Sequence, residues 1–210
     1  MEPIKHFFDL LVHFNLNQLV QEYGHLLYLL FFLIIFIETG VVIFPFLPGD
    51  SLLFVAGALA AFGGLSLTVL IPLLVLAAFL GDNLNYFIGD RIGPRAFRGD
   101  FKLLKRKYLE QTQEFYAKHG GKTLILARFV PIVRTFAPFV AGVGTMTYRV
   151  FATYCLVGAV LWVVSMSVAG YLFGNIPVVQ KNFELVVIGI VLLSIAPAVW
   201  QFVRSKLQKA

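Results

Sequence analysis

Four ionisable residues, Glu38, Asp50, Arg128 and Arg134, lie in segments that are otherwise apolar enough to be embedded in a membrane. A charged side chain near the centre of a bilayer costs on the order of 3 kcal/mol even on lenient insertion scales. Because two of the four residues are acids and two are bases, they can neutralise one another, or a ligand, across a polar cavity. Charges inside membrane segments are candidates for a functional site, and the mixture of signs points to transport of a charged species.

The two arginines have the chemistry that a phosphate site requires. Arg128 and Arg134 flank Pro131 in an apolar segment, and a guanidinium group can hold a phosphate through two parallel hydrogen bonds. A helix broken at Pro131 would add backbone N–H groups and a helix N-terminus as further donors. Glu38 and Asp50 would neutralise the arginines in the empty site and release them on protonation, which would link proton entry to phosphate capture.

A structural alternative is that the four charges form permanent ion pairs that hold two parts of the fold together. Asp82 and Tyr86 are interpreted as supporting residues, and a polar helix end or interhelical hydrogen bonding explains them best, together with Asn83 and Asn85. The four histidines lack the spacing and the company of a metal site. The single Cys155 makes an intramolecular disulfide impossible. We therefore expect no metal and no cofactor.

The composition identifies an integral membrane protein. Of the 210 residues, 59% are hydrophobic and 13% are charged, against roughly 25% charged in a soluble domain. About 20 apolar residues make one helical span, so residues 1–210 have room for a single membrane domain and for no sizeable soluble part. The net charge of +6 is concentrated in one loop and at the C-terminus. This pattern indicates membrane topology rather than nucleic-acid binding.

The order of apolar and polar segments predicts an all-α membrane protein with about four transmembrane helices. Spans are expected at residues 26–44, from 65 to about 91, at 149–173 and at 183–203, with an amphipathic interfacial helix at 4–22. Two further stretches are too short, or too interrupted by proline, to cross the bilayer as one helix. These stretches, 45–64 with Pro48 and 123–145 with Pro131, are predicted to be re-entrant hairpins.

The distribution of lysine and arginine predicts the topology. The basic segment 91–122 and the basic C-terminal tail are assigned to the cytoplasm by the positive-inside rule. The N-terminus is then also cytoplasmic, and the connection near Pro177 lies outside.

Two sequence matches at one spacing indicate an internal repeat. Phe54-Val-Ala-Gly57 recurs 85 residues later as Phe139-Val-Ala-Gly142, and Tyr86 and Gly89 recur as Tyr171 and Gly174. The first copy would leave the membrane at the basic loop and the second on the opposite side, so the copies would be inverted, as in many transporters. The glycines at positions 57, 81, 89 and 142 are expected to permit close helix packing rather than to cradle phosphate.

The chain resembles the bacterial DedA family, within the wider SNARE-associated Golgi or VTT-domain superfamily, in the segments FIETGVVIFPFLPGDSLLFVAGALA, GDNLNYFIGDRIG and KHGGKTLILARFVPIVRTFAPFVAGVGTM. The resemblance extends from about residue 20 to residue 205 and implies an inner-membrane protein with two opposed re-entrant loops. It carries the family's functional motifs onto Glu38, Asp50, Arg128 and Arg134. Family members are implicated in recycling undecaprenyl phosphate, in physiology that depends on the proton motive force and in drug resistance, and eukaryotic relatives in phospholipid scrambling.

Three classes of function fit these residues to different degrees. A proton-coupled transporter of a lipid phosphate, most directly undecaprenyl phosphate, accounts for the arginines, the acids and the inverted halves together. Its partners would be membrane lipids, the anionic lipid phosphate and protons, with a homo-oligomer left open. A proton-coupled exporter of small cations or drugs leaves two arginines in the path of a cation, and a general phospholipid scramblase is a further alternative. An enzyme is the least favoured class, because no nucleophile with its base can be argued from the sequence.

Overall fold

The computed structural model describes residues 16–41, 49–96, 120–144, 146–181 and 189, and the regular structure in these ranges is helical. In chain order the helices are α1 (Leu16–Gly40), α2 (Gly49–Ala61), α3 (Leu67–Ala96), α4 (Thr123–Ala127), α5 (Pro131–Val143), α6 (Tyr148–Gly174) and α7 (Pro177–Lys181). A 3-10 turn, Gly120–Lys122, precedes α4. The prediction of an all-α protein is confirmed for this part of the chain.

Three of the described helices are long and apolar enough to cross a membrane: Tyr23–Gly40, Leu67–Arg91 and Tyr148–Gly174. Large exposed apolar side chains such as Leu29, Leu76 and Leu161 lie along them and suit contact with lipid tails. The three helices agree with three of the four predicted spans, although α1 ends at Gly40 rather than at residue 44. The fourth predicted span, 183–203, most of the interfacial helix 4–22 and most of the basic segment 91–122 lie outside the described residues.

Two shorter apolar helices lie in the segments predicted to be re-entrant. α2 and α5 have 13 residues each, which makes them about 20 Å long, whereas the hydrocarbon core of a bilayer is about 30 Å thick. Neither helix can therefore cross the bilayer alone. Their re-entrant course stays a prediction, and Pro48 lies outside the described residues.

Pro131 explains why the second of these segments is split into α4 and α5. The residue before a proline is disfavoured in the helical conformation, and Val130 is extended, with φ −115° and ψ 108°. Proline is well suited to begin a helix, because the N–H that it lacks has no helical partner there. The predicted break is present: Arg128 is the C-cap of α4, and Arg134 lies in the first turn of α5.

The chain divides into two compact units. The first unit takes in the described residues of Met1–Phe31, Pro48–Ile71 and Ser165–Ala210, and the second those of Phe32–Leu47 and Pro72–Val164. In the first unit, α2 packs directly on the end of α6. A Cβ atom on Gly57 would overlap the carbonyl of Ser167, and one on Gly170 would overlap the carbonyl of Phe54.

The second unit contains a similar contact between α5 and α3, although on the long helix it lies one helical turn away from the position that the 85-residue spacing would give. A Cβ atom on Gly142 would overlap the carbonyl of Tyr86, and one on Gly89 would overlap the carbonyl of Phe139. In both units the helix that carries the FVAG sequence therefore lies against the backbone of a long helix. The expected use of these glycines in close helix packing is confirmed.

Alanine at Gly57 or Gly89 should destabilise the protein by about 1–3 kcal/mol, because the added methyl group meets backbone atoms that cannot rotate away. Gly24→Ala is the matched control: it lies in α1, and the nearest atom to its Cβ position is the Gly64 carbonyl oxygen at 3.8 Å. Alanine there should leave stability unchanged or raise it slightly, by up to about 1 kcal/mol. Thermal unfolding in detergent measures the difference, and equal melting temperatures for the three variants would contradict the packing described.

Candidate functional site

Four charged side chains come together in the second unit, on the wall of one small cavity. They are Glu38 of α1, Asp82 of α3, Arg128 at the end of α4 and Arg134 of α5. None of the four is more than 12% exposed. The space open to the centre of a water molecule is about 20 Å³, enough for about one or two waters. The other lining residues are Thr39, Leu124, Thr135, Ala137, Pro138, Cys155 and Trp162.

A close crossing of α1 and α3 brings the two acids to this cavity. A Cβ atom on Gly40 would lie 3.4 Å from the Cα of Gly81, and one on Gly81 would overlap the hydroxyl of Thr39. The helices can approach this closely only because both positions lack a side chain. Glu38 precedes the crossing on α1 and Asp82 follows it on α3, so both carboxylates reach the same space.

Arg134 and Glu38 form the first ion pair. An Nη atom of Arg134 donates to Oε1 of Glu38 at 2.5 Å. The Glu38 side chain is 2% exposed, so water does not reach the carboxylate of this pair. A charge buried to this degree requires a partner of opposite sign, and each residue supplies that partner for the other.

Arg128 and Asp82 form the second ion pair. An Nη atom of Arg128 donates to Oδ2 of Asp82, and the thiol of Cys155 donates to the same oxygen at 2.9 Å. The Sγ atom of Cys155 also lies 3.8 Å from that Nη atom of Arg128. This pair was not predicted from the sequence, where Asp82 was interpreted as a supporting polar residue and Cys155 was given no role in the site.

Both arginines lie over the ring of Trp162. The Cζ atoms of Arg128 and Arg134 are 5.5 Å and 5.7 Å from the ring centroid, within the range of cation–π contacts. The ring is 2% exposed, so this attraction acts away from water. Trp162 therefore holds two guanidinium groups near one another that would otherwise repel.

One face of α6 packs against the side chain of Arg128. Cys155, Gly158 and Trp162 follow one another at three- and four-residue spacing, which places them on the same side of a helix. The position of a Cβ on Gly158 is 3.1 Å from Nε of Arg128, so the guanidinium stem lies directly on the helix backbone. The spacing of these three residues could have indicated a shared helix face from the sequence. In an apolar span, however, the same spacing is also common among residues that only pack against other helices.

The other polar residues of α3 hold helices together. The Nδ2 atom of Asn85 donates to the carbonyl of Thr135 at 2.9 Å and to that of Thr39 at 3.3 Å, which ties α3 to α5 and α1. The Tyr86 hydroxyl donates to the carbonyl of Met146 at 3.0 Å. The contacts of Asn85 agree with its interpretation as an interhelical hydrogen-bonding residue, whereas Tyr86 bonds to Met146, which lies just before α6.

The remaining predicted site residues lie elsewhere or act through the backbone. Asp50 is in the first turn of α2, in the first unit, and is half-buried. Pro131 begins α5 and so separates the two arginines. Among the described residues there is no group of three His, Cys, Asp or Glu side chains that would hold a metal ion.

Removing one partner of the Glu38–Arg134 pair should be costly. Glu38→Gln leaves Arg134 buried without its carboxylate, and we expect a loss of about 3–5 kcal/mol. The double variant Glu38→Gln/Arg134→Gln should recover much of that loss, because no unpaired charge remains. Asp90→Asn, an exposed acid on α3, is the control and should melt like the wild type. Additive losses in the double variant would show that the two residues do not stabilise each other.

Comparison with known proteins finds relatives that are all membrane proteins or carry the same family name. The model of the VTT domain matches residues 47–172. The chain is 51% identical to the protein DedA of Escherichia coli, over 98% of this chain and 96% of that protein. It is 43% identical to an uncharacterised membrane protein of Mycobacterium leprae, over 84% and 81% of the two chains, and 32% identical to the inner membrane protein YqjA of Escherichia coli, over 86% and 82%.

No solved structure matches the chain significantly. The matched domain covers both FVAG helices, α2 and α5. It also covers three of the four charged residues of the cavity, while Glu38 precedes it. These findings confirm the resemblance noted in the sequence, and the chain belongs to the VTT-domain (DedA) family of membrane proteins.

Proposed function

We propose that this protein translocates a lipid phosphate, most directly undecaprenyl phosphate, across the bacterial cytoplasmic membrane. The observation that carries the proposal is the convergence of Arg128 and Arg134 on one buried cavity, each paired with an acid. A phosphate head group that crosses hydrocarbon needs donors that stay charged without water. Arginine meets this need, since it stays protonated and binds phosphate through a planar fork.

The cavity favours an anion over the alternative substrates. A small cation or a cationic drug would have to displace a permanently charged guanidinium from each acid that it approached, and like charges at close range repel strongly in a medium of low dielectric constant. A scramblase that moves any phospholipid needs no particular recognition of a phosphate monoester. The paired arginines therefore support a phosphate-bearing lipid, with the exporter and the scramblase as the alternatives to be tested.

The size of the cavity implies that the ion pairs must open during transport. The space has room for about one or two waters, and a phosphate group is larger. Protonation of Glu38 would loosen its pair with Arg134 and so admit the anion together with a proton. We assign Asp50, in the first turn of α2, a second role in proton coupling.

The repeated packing supports an inverted-repeat transporter. The FVAG helix lies against a long helix in both units, through close glycine contacts of the same kind, and inverted repeats with broken helices are a common transporter architecture. We further propose that both termini are cytoplasmic, in line with the positive-inside rule. An enzymatic role is not proposed, since no nucleophile with its base can be argued from the sequence.

The test is translocation of a labelled polyprenyl phosphate between the leaflets of proteoliposomes. Arg128→Lys and Arg134→Lys should each lower the rate at least about tenfold while the protein still inserts, because an ammonium group cannot reproduce the bidentate geometry. Arg91→Lys makes the same change at an exposed position of α3 and should keep the wild-type rate.

The same liposomes separate the alternatives. Equal translocation of polyprenyl phosphate and of a zwitterionic phospholipid by the wild type would favour the scramblase. Proton-driven uptake of a cationic dye without movement of the lipid phosphate would favour the exporter. Full activity of both lysine variants would refute bidentate binding, although not the need for positive charge.

Proton coupling is tested at the acids. Glu38→Gln and Asp50→Asn should lose the pH dependence of translocation per folded molecule, because amides keep the shape of the side chains and cannot titrate. Asp90→Asn should retain the wild-type pH profile. A wild-type pH profile in both acid variants, measured after correction for folded protein by detergent melting, would return Glu38 and Asp50 to a structural role.

A further inference from the structure

Asp82 is a buried acid that has no role in the proposed function. Its Oδ2 atom accepts hydrogen bonds from Arg128 and from the thiol of Cys155, which lies 2.9 Å away. These three side chains are at most 7% exposed. Each arginine of the cavity thus has an acid of its own, Glu38 for Arg134 and Asp82 for Arg128.

Among the described residues that line the cavity the charges sum to zero, because two arginines face two acids. A phosphate added beside both intact pairs would give the buried space a net negative charge, which is unfavourable where water is excluded. It would also need more room than the cavity offers. An anion can therefore bind Arg128 only if the carboxylate that already occupies this guanidinium gives way.

We propose that Asp82 is the internal counter-ion that a phosphate ligand replaces on Arg128. Capture at this arginine is then an exchange of carboxylate oxygens for phosphate oxygens, and release is the reverse exchange. In the same step the thiol of Cys155 loses its acceptor. The inference rests on the proposed function, because it takes a phosphate as the ligand of the site, and it adds Asp82 as a residue that sets both affinity and release.

Exchange of Asp82 for phosphate predicts a change in ligand affinity that a purely structural role of Asp82 does not predict. An internal competitor weakens ligand binding, so Asp82→Asn should bind a phosphate ligand more tightly while it releases the ligand more slowly. If Asp82 only stabilised the fold, its loss would leave affinity unchanged or lower it. A gain of affinity together with a loss of turnover therefore identifies the counter-ion role.

Affinity is measured with farnesyl phosphate through the fluorescence of Trp162, whose ring contacts both arginines. The chain has two tryptophans, so Trp200→Phe leaves Trp162 as the single reporter. In that background Asp82→Asn should bind on the order of tenfold more tightly and translocate polyprenyl phosphate at least tenfold more slowly. Asp90→Asn removes an exposed acid from the same helix and should change neither quantity.

A second measurement uses the wild-type chain and does not depend on the folding of a variant. Cys155 is the only cysteine, so the infrared S–H stretching band of the protein reports this one thiol, and its absence in Cys155→Ser assigns the band. Farnesyl phosphate should shift the band to higher frequency, because the thiol no longer donates to Asp82. Farnesol, which lacks the phosphate, should leave the band in place.

Inorganic phosphate separates the head group from the lipid. A shift with farnesyl phosphate alone supports exchange with a lipid phosphate, and the same shift with inorganic phosphate supports exchange with free phosphate as the ligand. Binding of farnesyl phosphate with an unmoved band, or with no gain of affinity in a folded Asp82→Asn variant, overturns this inference and leaves the proposed function standing. A wild-type protein that binds no phosphate probe overturns both.

Discussion

The neutralisation of Arg128 and Arg134 inside an apolar protein is the constraint on which the rest of the site depends. A guanidinium group buried without a partner would cost several kcal/mol. The second unit supplies a carboxylate to each arginine and one tryptophan ring to both. The close crossing of α1 and α3 and the break before Pro131 are the features of the backbone that bring these partners together.

The same pairing explains how a stable site can also release its charges. Buried ion pairs contribute little net stability, because the loss of hydration nearly cancels their attraction. An incoming phosphate, which offers oxygens of the same charge and geometry as a carboxylate, can replace an acid at small net cost. A protein with permanently unpaired arginines would be unstable, and one with apolar residues in their place would have nothing to offer an anion.

Much of this arrangement was predictable from the sequence, and the rest depends on distances that a sequence does not contain. The charges of Glu38, Arg128 and Arg134 stand out in apolar segments, and Pro131 predicts the break between the arginines. The pairing of Asp82 with Arg128 depends on which side of α3 faces the cavity. The sequence does not show that side, because the residues at 83 and 85 are also polar and point in other directions around the helix. Trp162 and Cys155 resemble ordinary residues of a membrane span until the position of α6 is known.

The two helices that carry the FVAG sequence are alike in how they pack and differ in the charges around them. The glycine of each FVAG sequence meets the backbone of a long helix, at positions on that helix that differ by one helical turn, so this contact depends on backbone shape and needs no polar residue. At the spacing of 85 residues, however, the charged residues of the cavity correspond to neutral ones: Glu38 to Thr123, Asp82 to Ser167, Arg128 to Ile43 and Arg134 to Gly49. Close helix packing can thus occur without polar residues, whereas a buried set of charges has to be complete to be tolerated, because each member left alone would be an uncompensated charge. The cavity set is complete in the second unit, where two acids face two arginines.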